Sequence, residues 1–575
     1  MARWCACLAA DDPAGQVEAM GGRAVRVAGR RALGLLEGPG AATGPFEAAG
    51  RWAVGEVTLF NAAELRARLG AAGADGGDCP DGELLLRCYA AFGTAGLAAA
   101  DGMFALAIAD GEDLVLVRDH VGARTVFHAR AGSRWAAATS LRALRRWPAL
   151  HTGLHLPAVR SFLTFAYLPG TETLLRGVHE VLPGRCLRLR ADGTTVEETF
   201  WEPAEAVDES PAAEHAGRLR ALLEQATARR LPDAGPVGVL LSGGVDSSLV
   251  TALAARLHPG PVRTYSISFG DDAPNELAYS GLVAAHCGTE HRVLTVAGET
   301  VAARLPETVA LLDCPVGDPL TVPNLLLAEA VAADGMRVAL NGEGGDPVFG
   351  GPKNLPMLVH ELHRDDPSPE SRARAYVDSY RKCHADLPTL LTRDALAALA
   401  PAPPPQDLVA PYLRPGRMNG LLNQLLHANL RTKGAHHILS KVERITAATG
   451  LEGRAPLFDR EVIDQAFRVP SRFKLSGTVE KWILKEAVRD LLPATVVDRP
   501  KSGMRVPVQR WLHGPLRELG HDLLLGRSAR DRGLFREDTV RSWLRGTGTL
   551  LPRQGGKLWL VLTLELWLRS FDVTD

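Results

Sequence analysis

Cysteine is scarce in this sequence and irregularly spaced. Its 575 residues include eight cysteines, and only Cys5 and Cys7 lie close together, with one residue between them. A disulfide framework or a CxxC-type zinc site would need more regular spacing, so both are excluded as organising features. The pattern predicts a protein of a reducing compartment, the cytoplasm.

Long apolar runs and an excess of either charge are also lacking. The N-terminal apolar stretch ends at Asp11 and Asp12, and no later segment reaches the roughly 20 apolar residues that span a bilayer. Lysine and arginine number 65 against 66 acidic residues, so no positive excess exists to attract a polyphosphate backbone. We expect no membrane partner and no nucleic-acid partner.

The length and composition predict two globular domains. Apolar residues make up 46% of the chain, which is enough to bury extensive cores. Residues 203–214, PAEAVDESPAAE, have no periodicity and are typical of a linker. We therefore place the domain boundary near residue 205, giving domains 1–205 and 206–575.

The two predicted domains differ in their patterns of predicted helices and strands. The first predicts an α+β domain dominated by sheets. Its strand-like runs are 52–60, 102–110, 113–119 and 185–200, and its helical patterns are 61–70 and 82–92. The second alternates helix and strand, which predicts a parallel sheet covered by helices, with ligands at the carboxyl ends of its strands. Its helices are predicted at 212–230, 246–257 and 275–286, and its strands at 236–242, 262–269 and 291–296.

The strongest motif is a glycine turn between an apolar strand and a helix. It has the pattern SGGxDS and contains Leu241, Ser242, Gly243, Gly244, Asp246, Ser247 and Ser248. Amides and hydroxyls that converge on a helix N-terminus bind anions, so the motif predicts a phosphate site. It lacks the GK[ST] of the Walker loop, so cleavage of the β,γ bond of a nucleotide is not implied.

A second glycine-rich loop follows another strand about a hundred residues later. It reads Asn341-Gly342-Glu343-Gly344-Gly345-Asp346 and allows close approach of backbone to a ligand. Mg²⁺ bound to nucleotide phosphates takes one or two protein carboxylates, and the pair Asp246 and Asp346 fits that requirement.

The first loop resembles the pyrophosphate loop of ATP pyrophosphatases, and the whole chain resembles the glutamine-hydrolysing asparagine synthetases and their relatives. Motifs along both halves carry the resemblance. They include Asp101-Gly102-Met103-Phe104, Arg118-Asp119-His120, Asp313 to Pro319, Val442-Glu443-Arg444, Gly450 to Asp459, Glu480 to Lys485 and Arg499 to Gly503.

The resemblance implies both a fold and an activity. The fold is an α+β N-terminal nucleophile hydrolase-like domain followed by an α/β adenylating synthetase domain of the ATP pyrophosphatase type, with a parallel sheet and added helices. The implied cofactors are ATP and Mg²⁺. In the implied reaction, a substrate carboxylate attacks the α-phosphate of ATP, and an amine then displaces AMP to give an amide.

The N-terminal half departs from the family pattern. The family glutaminase uses a cysteine directly after the initiator Met, whose own α-amine serves as base, whereas this sequence has Ala2. An internal Cys5 or Cys7 has an amide nitrogen in that place. The family's glutamine-gripping segment also lacks a clear counterpart in residues 20–50. We therefore expect a catalytically degenerate glutaminase domain, as in the β-lactam synthetases and the lasso-peptide macrolactam cyclases.

Further roles follow from the resemblance. Lys481 matches a lysine that stabilises the transition state in β-lactam synthetases. His437 falls roughly where that branch carries its base, and an imidazole suits the task near neutral pH. Glu343, a tyrosine in the β-lactam branch and a glutamate in asparagine synthetases, is a rival base. Ile267 and Ser268 are expected beside the adenine, and Asp318 near the nucleotide.

The favoured hypothesis is an ATP-dependent ligase that joins a carboxylate and an amine of the same substrate. A lasso-type macrolactam on a peptide is preferred, with a leader-binding protein or a protease as further partner. Two alternatives stay open: a glutamine-dependent asparagine synthetase or amidotransferase, and a small-molecule ring closer of the β-lactam type.

Overall fold

The computed structural model describes residues 3–9, 11–36, 44–270, 276–351, 354–366, 368–501, 503–546 and 554–573, which form two compact units. The first contains residues up to Gly153 with Gly170–Glu202 and Ile438–Gly450. The second contains Leu154–Pro169, Pro203–His437 and residues from Leu451 onward. The sequence predicts one boundary near residue 205. The main boundary between the units follows Glu202. In addition, Leu154–Pro169 belongs to the second unit and Ile438–Gly450 to the first, and no change in composition marks these two segments.

The first unit is built on antiparallel strands. They are β1 (Arg3–Leu8), β2 (Gly22–Ala28), β3 (Arg31–Leu36), β4 (Phe46–Ala48), β5 (Arg51–Leu59), β6 (Gly102–Asp110), β7 (Asp113–Arg118), β8 (Phe127–Ala131), β9 (Arg134–Ala138), β10 (Val178–Glu180), β11 (Arg185–Leu189) and β12 (Thr195–Thr199). The helices described before residue 150 are α1 (Pro13–Ala19), α2 (Ala62–Ala71), α3 (Asp81–Phe92), α4 (Thr94–Ala99) and α5 (Leu141–Arg145). The run 185–200, predicted as one strand-like stretch, is the hairpin β11–β12.

Two six-stranded sheets make up the first unit. Their orders are β10-β8-β9-β1-β3-β2 and β12-β11-β7-β6-β5-β4. Trp4 and Leu33 of one sheet pack with Ala107 and Leu116 of the other in a shared apolar core, and the Trp4 indole donates to the Ala105 carbonyl at 3.0 Å. A second core lies between the other face of the β12-to-β4 sheet and helices α2 to α4. Alternation of side chains along each strand supplies both apolar faces.

The second unit contains a five-stranded parallel sheet and many helices. Its strands are β13 (Val237–Leu240), β14 (Val262–Ser268), β15 (Glu290–Thr295), β16 (Val338–Leu340) and β17 (Glu452–Arg454), beside a small hairpin of β18 (Leu475–Ser476) and β19 (Val479–Glu480). Its α-helices begin with α6 (Leu156–Phe165), α7 (Ala212–Arg230), α8 (Val245–Leu257), α9 (Leu277–Cys287), α10 (Gly298–Leu311), α11 (Thr321–Ala333), α12 (Gly345–Phe349), α13 (Leu355–His363), α14 (Pro369–Ser379), α15 (Leu387–Leu390), α16 (Arg393–Leu399) and α17 (Leu421–Asn429).

The C-terminal third is mostly helical. A π-helix spans Leu430–Leu439, and 3₁₀ turns span His384–Asp386, Pro405–Leu408, Ala410–Leu413 and Pro456–Phe458. The remaining helices are α18 (Ser440–Ala448), which belongs to the first unit, α19 (Arg460–Arg468), α20 (Ser471–Lys474), α21 (Trp482–Val488), α22 (Ala494–Val497), α23 (Val508–His513), α24 (Arg517–Leu524), α25 (Arg527–Arg532), α26 (Glu537–Arg545) and α27 (Gln554–Ser570). Over the ranges described, no helix combines the length and apolar character needed to cross a membrane.

The sheet topology places a ligand site between two central strands. The order is β15-β14-β13-β16-β17, and every neighbouring pair is parallel. The chain direction across the sheet therefore reverses between β13 and β16, which makes their carboxyl ends the topological switch point. The predicted fold class, an α+β domain followed by an α/β domain with a parallel sheet, is confirmed.

Candidate active site

The loop after β13 is folded by its own serines and glycines. Ser247 accepts from the Ser242 amide at 3.1 Å, lies 3.0 Å from the Ser242 hydroxyl and donates to the Gly244 carbonyl at 3.1 Å. Gly243 has φ +80°, a conformation that disfavours residues with a Cβ. Helix α8 begins directly afterwards at Val245, so its first amides and its dipole face the turn.

The second loop packs directly on the first. A Cβ at Gly342 would overlap the backbone between Asp246 and Ser247, and one at Gly345 would overlap the Asp246 carboxylate. Gly344 has φ +113°. These glycines therefore permit two loops about a hundred residues apart in sequence to meet at the switch point, as the sequence predicts for Asp246 and Asp346.

Lys481 lies between the two aspartates. Its Nζ is 2.5 Å from Asp246 Oδ2 and 2.5 Å from Asp346 Oδ1, and its side chain is 1% exposed. The residue occupies the left-handed region, with φ 53°, at the junction of β19 and α21. Such a backbone is uncommon for a residue with a Cβ.

The opposite charges at this site stabilise each other's ionised forms. Burial would lower the pKa of Lys481, but Asp246 and Asp346 more than offset it and raise that pKa above its ordinary value. Burial likewise opposes ionisation of Asp346, yet the charges of Lys481 and Lys501 hold its pKa well below the usual range. The lysine is therefore a cation and Asp346 an anion across the physiological range.

The structure adds two basic residues whose role sequence reasoning missed. Lys501 Nζ lies 3.8 Å from Asp346 Oδ1 and 4.0 Å from Asp246 Oδ2. Arg499 donates to the Gly243 carbonyl at 3.2 Å, and its guanidinium sits 3.9 Å from the ring centre of Tyr279. The segment Arg499 to Gly503 stood out in the sequence, and only its position beside the first loop indicates phosphate binding. Ser502 of this segment lies outside the described residues.

The donor set suits a magnesium ion bound together with phosphates. Asp246 Oδ1 is buried and finds no hydrogen-bond partner among the described residues. Mg²⁺ prefers one or two carboxylates and fills its other positions with phosphate oxygens and water. The described residues form no cluster of three or more His, Cys, Asp or Glu side chains arranged to hold a metal by themselves.

Ile267 and Ser268 end β14, the strand next to β13. Both are buried, and the Ser268 hydroxyl accepts from the Gly270 amide at 3.1 Å. Leu241 and Ser248 are buried against the same sheet edge. Their place at the carboxyl ends of neighbouring strands is the place expected for nucleotide-binding residues.

The two candidate bases occupy different settings. The Glu343 amide donates to Asn341 Oδ1 at 3.1 Å, and its half-buried carboxylate makes no hydrogen bond or ion pair with another described residue. His437 lies on the π-helix, with Nε2 3.9 Å from Asp318 Oδ2. The structure thus brings together two residues that the sequence placed separately, one as base and one near the nucleotide.

Cys5 and Cys7 lie inside β1, a central strand that pairs with β3 on one side and β9 on the other. Burial raises the pKa of each thiol to about 12. The Cys7 thiol donates to the Pro13 carbonyl at 3.0 Å. Both thiols are therefore protonated at neutral pH. Because each cysteine lies inside the paired strand, its own nitrogen is a backbone amide and not an α-amine. Ala2 lies outside the described residues.

Comparisons with known proteins agree with both units. The Asparagine synthase family matches residues 218–569, and the Glutamine amidotransferase domain matches residues 22–201. A Mycobacterium bovis protein assigned as a glutamine-hydrolysing asparagine synthetase is 31% identical over 82% of this chain and 77% of its own. Asparagine synthetase 1 of Bacillus subtilis is 25% identical over 90% of this chain and 85% of its own.

A ring-closing enzyme is also among the relatives. Carboxyethyl-arginine beta-lactam-synthase of Streptomyces clavuligerus is 28% identical over 78% of this chain and 72% of its own. The matches span both units, and the family match alone covers more than half of the chain. The chain therefore belongs to the asparagine synthase family and is an ATP-dependent, AMP-forming carbon–nitrogen ligase.

Proposed function

We propose that this enzyme activates a carboxylate of its substrate as an acyl-adenylate and lets an amine of the same molecule close an amide ring. The observation that carries the proposal is the state of β1. Both of its thiols are protonated and lie within a paired strand, so this strand offers no nucleophile for releasing ammonia from glutamine. A substrate that carries its own amine needs no ammonia.

In the first step, an oxygen of the substrate carboxylate attacks the α-phosphorus of ATP. The bond from that phosphorus to the bridging oxygen breaks, and pyrophosphate leaves. Lys481 and Lys501, with the first loop and α8, would neutralise the charge that develops on the phosphates. Asp246 and Asp346 would hold Mg²⁺, which supplies further charge neutralisation of ATP when bound.

In the second step, the amine nitrogen bonds to the carbonyl carbon while the bond to AMP breaks. The amine must lose a proton, and His437 would accept it, with Glu343 as the rival base. Because both groups belong to one bound molecule, proximity can lower the barrier by up to about 7–11 kcal/mol.

The preferred substrate is a peptide that is closed into a macrolactam, with a leader-binding protein or protease as further partner. Glu343 stands where the resemblance places a tyrosine in β-lactam synthetases, which argues against a small β-lactam product. The relative from Streptomyces clavuligerus nevertheless supports small-molecule ring closure as a second candidate. The third candidate function is that of a glutamine-dependent asparagine synthetase or amidotransferase, in which the carboxylate and the amine come from separate molecules. It is kept because other relatives are asparagine synthetases.

The test uses purified enzyme, ATP, Mg²⁺ and synthetic peptides that carry a free α-amine and an internal aspartate or glutamate. We expect ATP–pyrophosphate exchange, release of AMP and loss of one water from the peptide. Small amino-carboxylates tested in parallel identify the second candidate. Labelled amide nitrogen transferred from glutamine into product, or release of ADP, would contradict the proposal. Asp246→Ala serves as the inactive reference, with exchange reduced by about 10²- to 10³-fold.

A further inference from the structure

The π-helix Leu430–Leu439 borders the active site. In a π-helix, hydrogen bonds join residues five apart, so Thr432 and His437 lie on one face. Burial and the charges of Lys481 and Lys501 dominate the pKa of Asp346, and Lys433 on this helix lowers it further. π-Helical segments are rare and are frequently found at functional sites. The helix that carries His437 thus also places the Lys433 ammonium within electrostatic range of Asp346 in the second loop.

Tyr167 contacts this helix at two points. Its ring stacks on the His437 imidazole, with centroids 5.6 Å apart and planes inclined by 26°. Its hydroxyl donates to Thr432 Oγ1 at 3.1 Å and lies 2.9 Å from the Tyr380 hydroxyl. Tyr167 is 1% exposed. The tyrosine therefore fixes both the backbone position of the helix and the plane of the imidazole.

Asp318 faces the edge of the same imidazole. Its Oδ1 accepts from the Leu320 amide at 3.0 Å, at the start of α11, and its Oδ2 is directed to His437 Nε2 at 3.9 Å. The preceding Gly317 donates its amide to the Ala166 carbonyl at 2.8 Å. A Cβ at Gly317 would overlap the Leu560 side chain. The loop that carries Asp318 is thus locked onto the segment that carries Tyr167.

We propose that Asp318 and Tyr167 are positioning residues that hold His437 as the base of the second step; this inference rests on the proposed function. A proton on Nε2 facing Asp318 leaves Nδ1 as the acceptor for the proton of the attacking amine. As the carbon–nitrogen bond forms and AMP leaves, that proton moves to Nδ1, and the Asp318 carboxylate stabilises the resulting imidazolium. Nucleophile, base and orienting carboxylate form the same chain of roles in other acyl-transfer sites.

The charged surroundings set the direction of the pH effect. Asp318 faces His437 from the loop before α11, and Tyr167 and Tyr380 lie on its other side. Burial raises the pKa of both tyrosines, so they are neutral near pH 7. Lys433 and His436 share the helix with His437. An anion at Asp318 favours the imidazolium, so its removal lowers the pKa of the base.

The experiment compares Asp318→Asn with wild type, using the peptide that supports pyrophosphate exchange. We expect exchange to change by less than about threefold, and kcat for lactam formation to fall by about 10- to 100-fold. The acid limb of the kcat profile should move to lower pH. Hydroxylamine, an amine that is neutral near pH 7 and needs no base, should trap the acyl-adenylate at the wild-type rate.

Three further variants separate positioning from a general loss of structure. Tyr167→Phe keeps the stacked ring and should retain more activity than Tyr167→Leu, which loses it, and Asp318→Glu should restore part of kcat. Exchange lost together with lactam formation in Asp318→Asn would place Asp318 at the nucleotide instead and overturn the inference. An unshifted acid limb or an unchanged kcat would overturn it as well. A wild-type enzyme without exchange would reject the proposed function itself.

Discussion

Lys481 of the second unit and the cysteine pair of the first are equally removed from water, with opposite chemical consequences. The Cys5 and Cys7 thiols face backbone carbonyls, and burial, reinforced at Cys7 by the charge of Asp12, raises their pKa and keeps them neutral and inert. Lys481 is met by two carboxylates, and these keep it charged despite burial. Burial therefore sets the cost of a charge, and the partners decide whether that cost is met.

Lys474 provides an intermediate case. Its Nζ donates to Asn423 Oδ1 at 2.6 Å and lies 4.8 Å from the ring centre of Phe467. Burial, only partly offset by the more distant Glu205, lowers its pKa to about 7. One neutral acceptor thus leaves a buried lysine near its neutral form, whereas two carboxylates beside Lys481 do not.

The largest effect is expected when the buried cation itself is removed. Lys481→Met leaves two carboxylates facing each other. We expect the rate of amide formation, measured as AMP release, to fall by about 10²- to 10³-fold. Lys557→Met is the matched control, because Lys557 Nζ pairs with Asp386 at 2.6 Å in a more exposed setting. We expect the control to keep wild-type turnover. An equal loss of turnover in both variants would contradict a special role for Lys481, because its ion pairs would then matter no more than the Lys557–Asp386 pair.

The second prediction concerns stability and pH at Lys474. Because its folded pKa lies below that of an unfolded lysine, the unfolded chain binds more protons between about pH 7 and 10. The free energy of unfolding should therefore rise with pH in this window, by up to about 1.4 kcal/mol per pH unit from this group. Urea unfolding of wild type and Lys474→Met at several pH values measures the difference. A variant with the wild-type slope would refute the assignment, and Lys557→Met should keep that slope.

The smallest effects are expected at β1. Cys5→Ala and Cys7→Ala should leave ligase turnover within about twofold of wild type and lower the free energy of unfolding by about 1 kcal/mol each. Iodoacetamide near pH 8 should label the half-buried Cys79 in the native protein before either β1 thiol, as read by peptide mass spectrometry. Rapid labelling of Cys5 or Cys7, or glutaminase activity lost on their substitution, would contradict an inert first unit.

The raised pKa values of the same thiols also predict how the stability of the protein changes at alkaline pH. A folded pKa raised to about 12 means that their contribution to stability is complete below the unfolded pKa and is lost as pH rises toward 12. The double variant should therefore lose less stability than wild type between pH 9 and 11, as measured by thermal unfolding at each pH.

Local signals in the sequence were sufficient for much of the fold. Alternating apolar residues predicted β5, β6 and β7, and the alternation of helix and strand predicted the order of elements from α7 to β15, with boundaries within a few residues. The glycines of the two loops marked turns that need unusual backbone freedom. These features depend on neighbours along the chain, and so the sequence alone determines them.

Other features depend on residues far apart in sequence, and only the tertiary structure decided them. The sequence identified Lys481 and Asp246 separately, but their 2.5 Å contact joins residues more than two hundred positions apart. The same holds for Lys501 beside the first loop, Asp318 beside His437, and the exchanged segments of the two units. Charge state and base strength arise from such distances and from burial, because electrostatic energies depend on separation in space and exclusion of water, which no local pattern encodes.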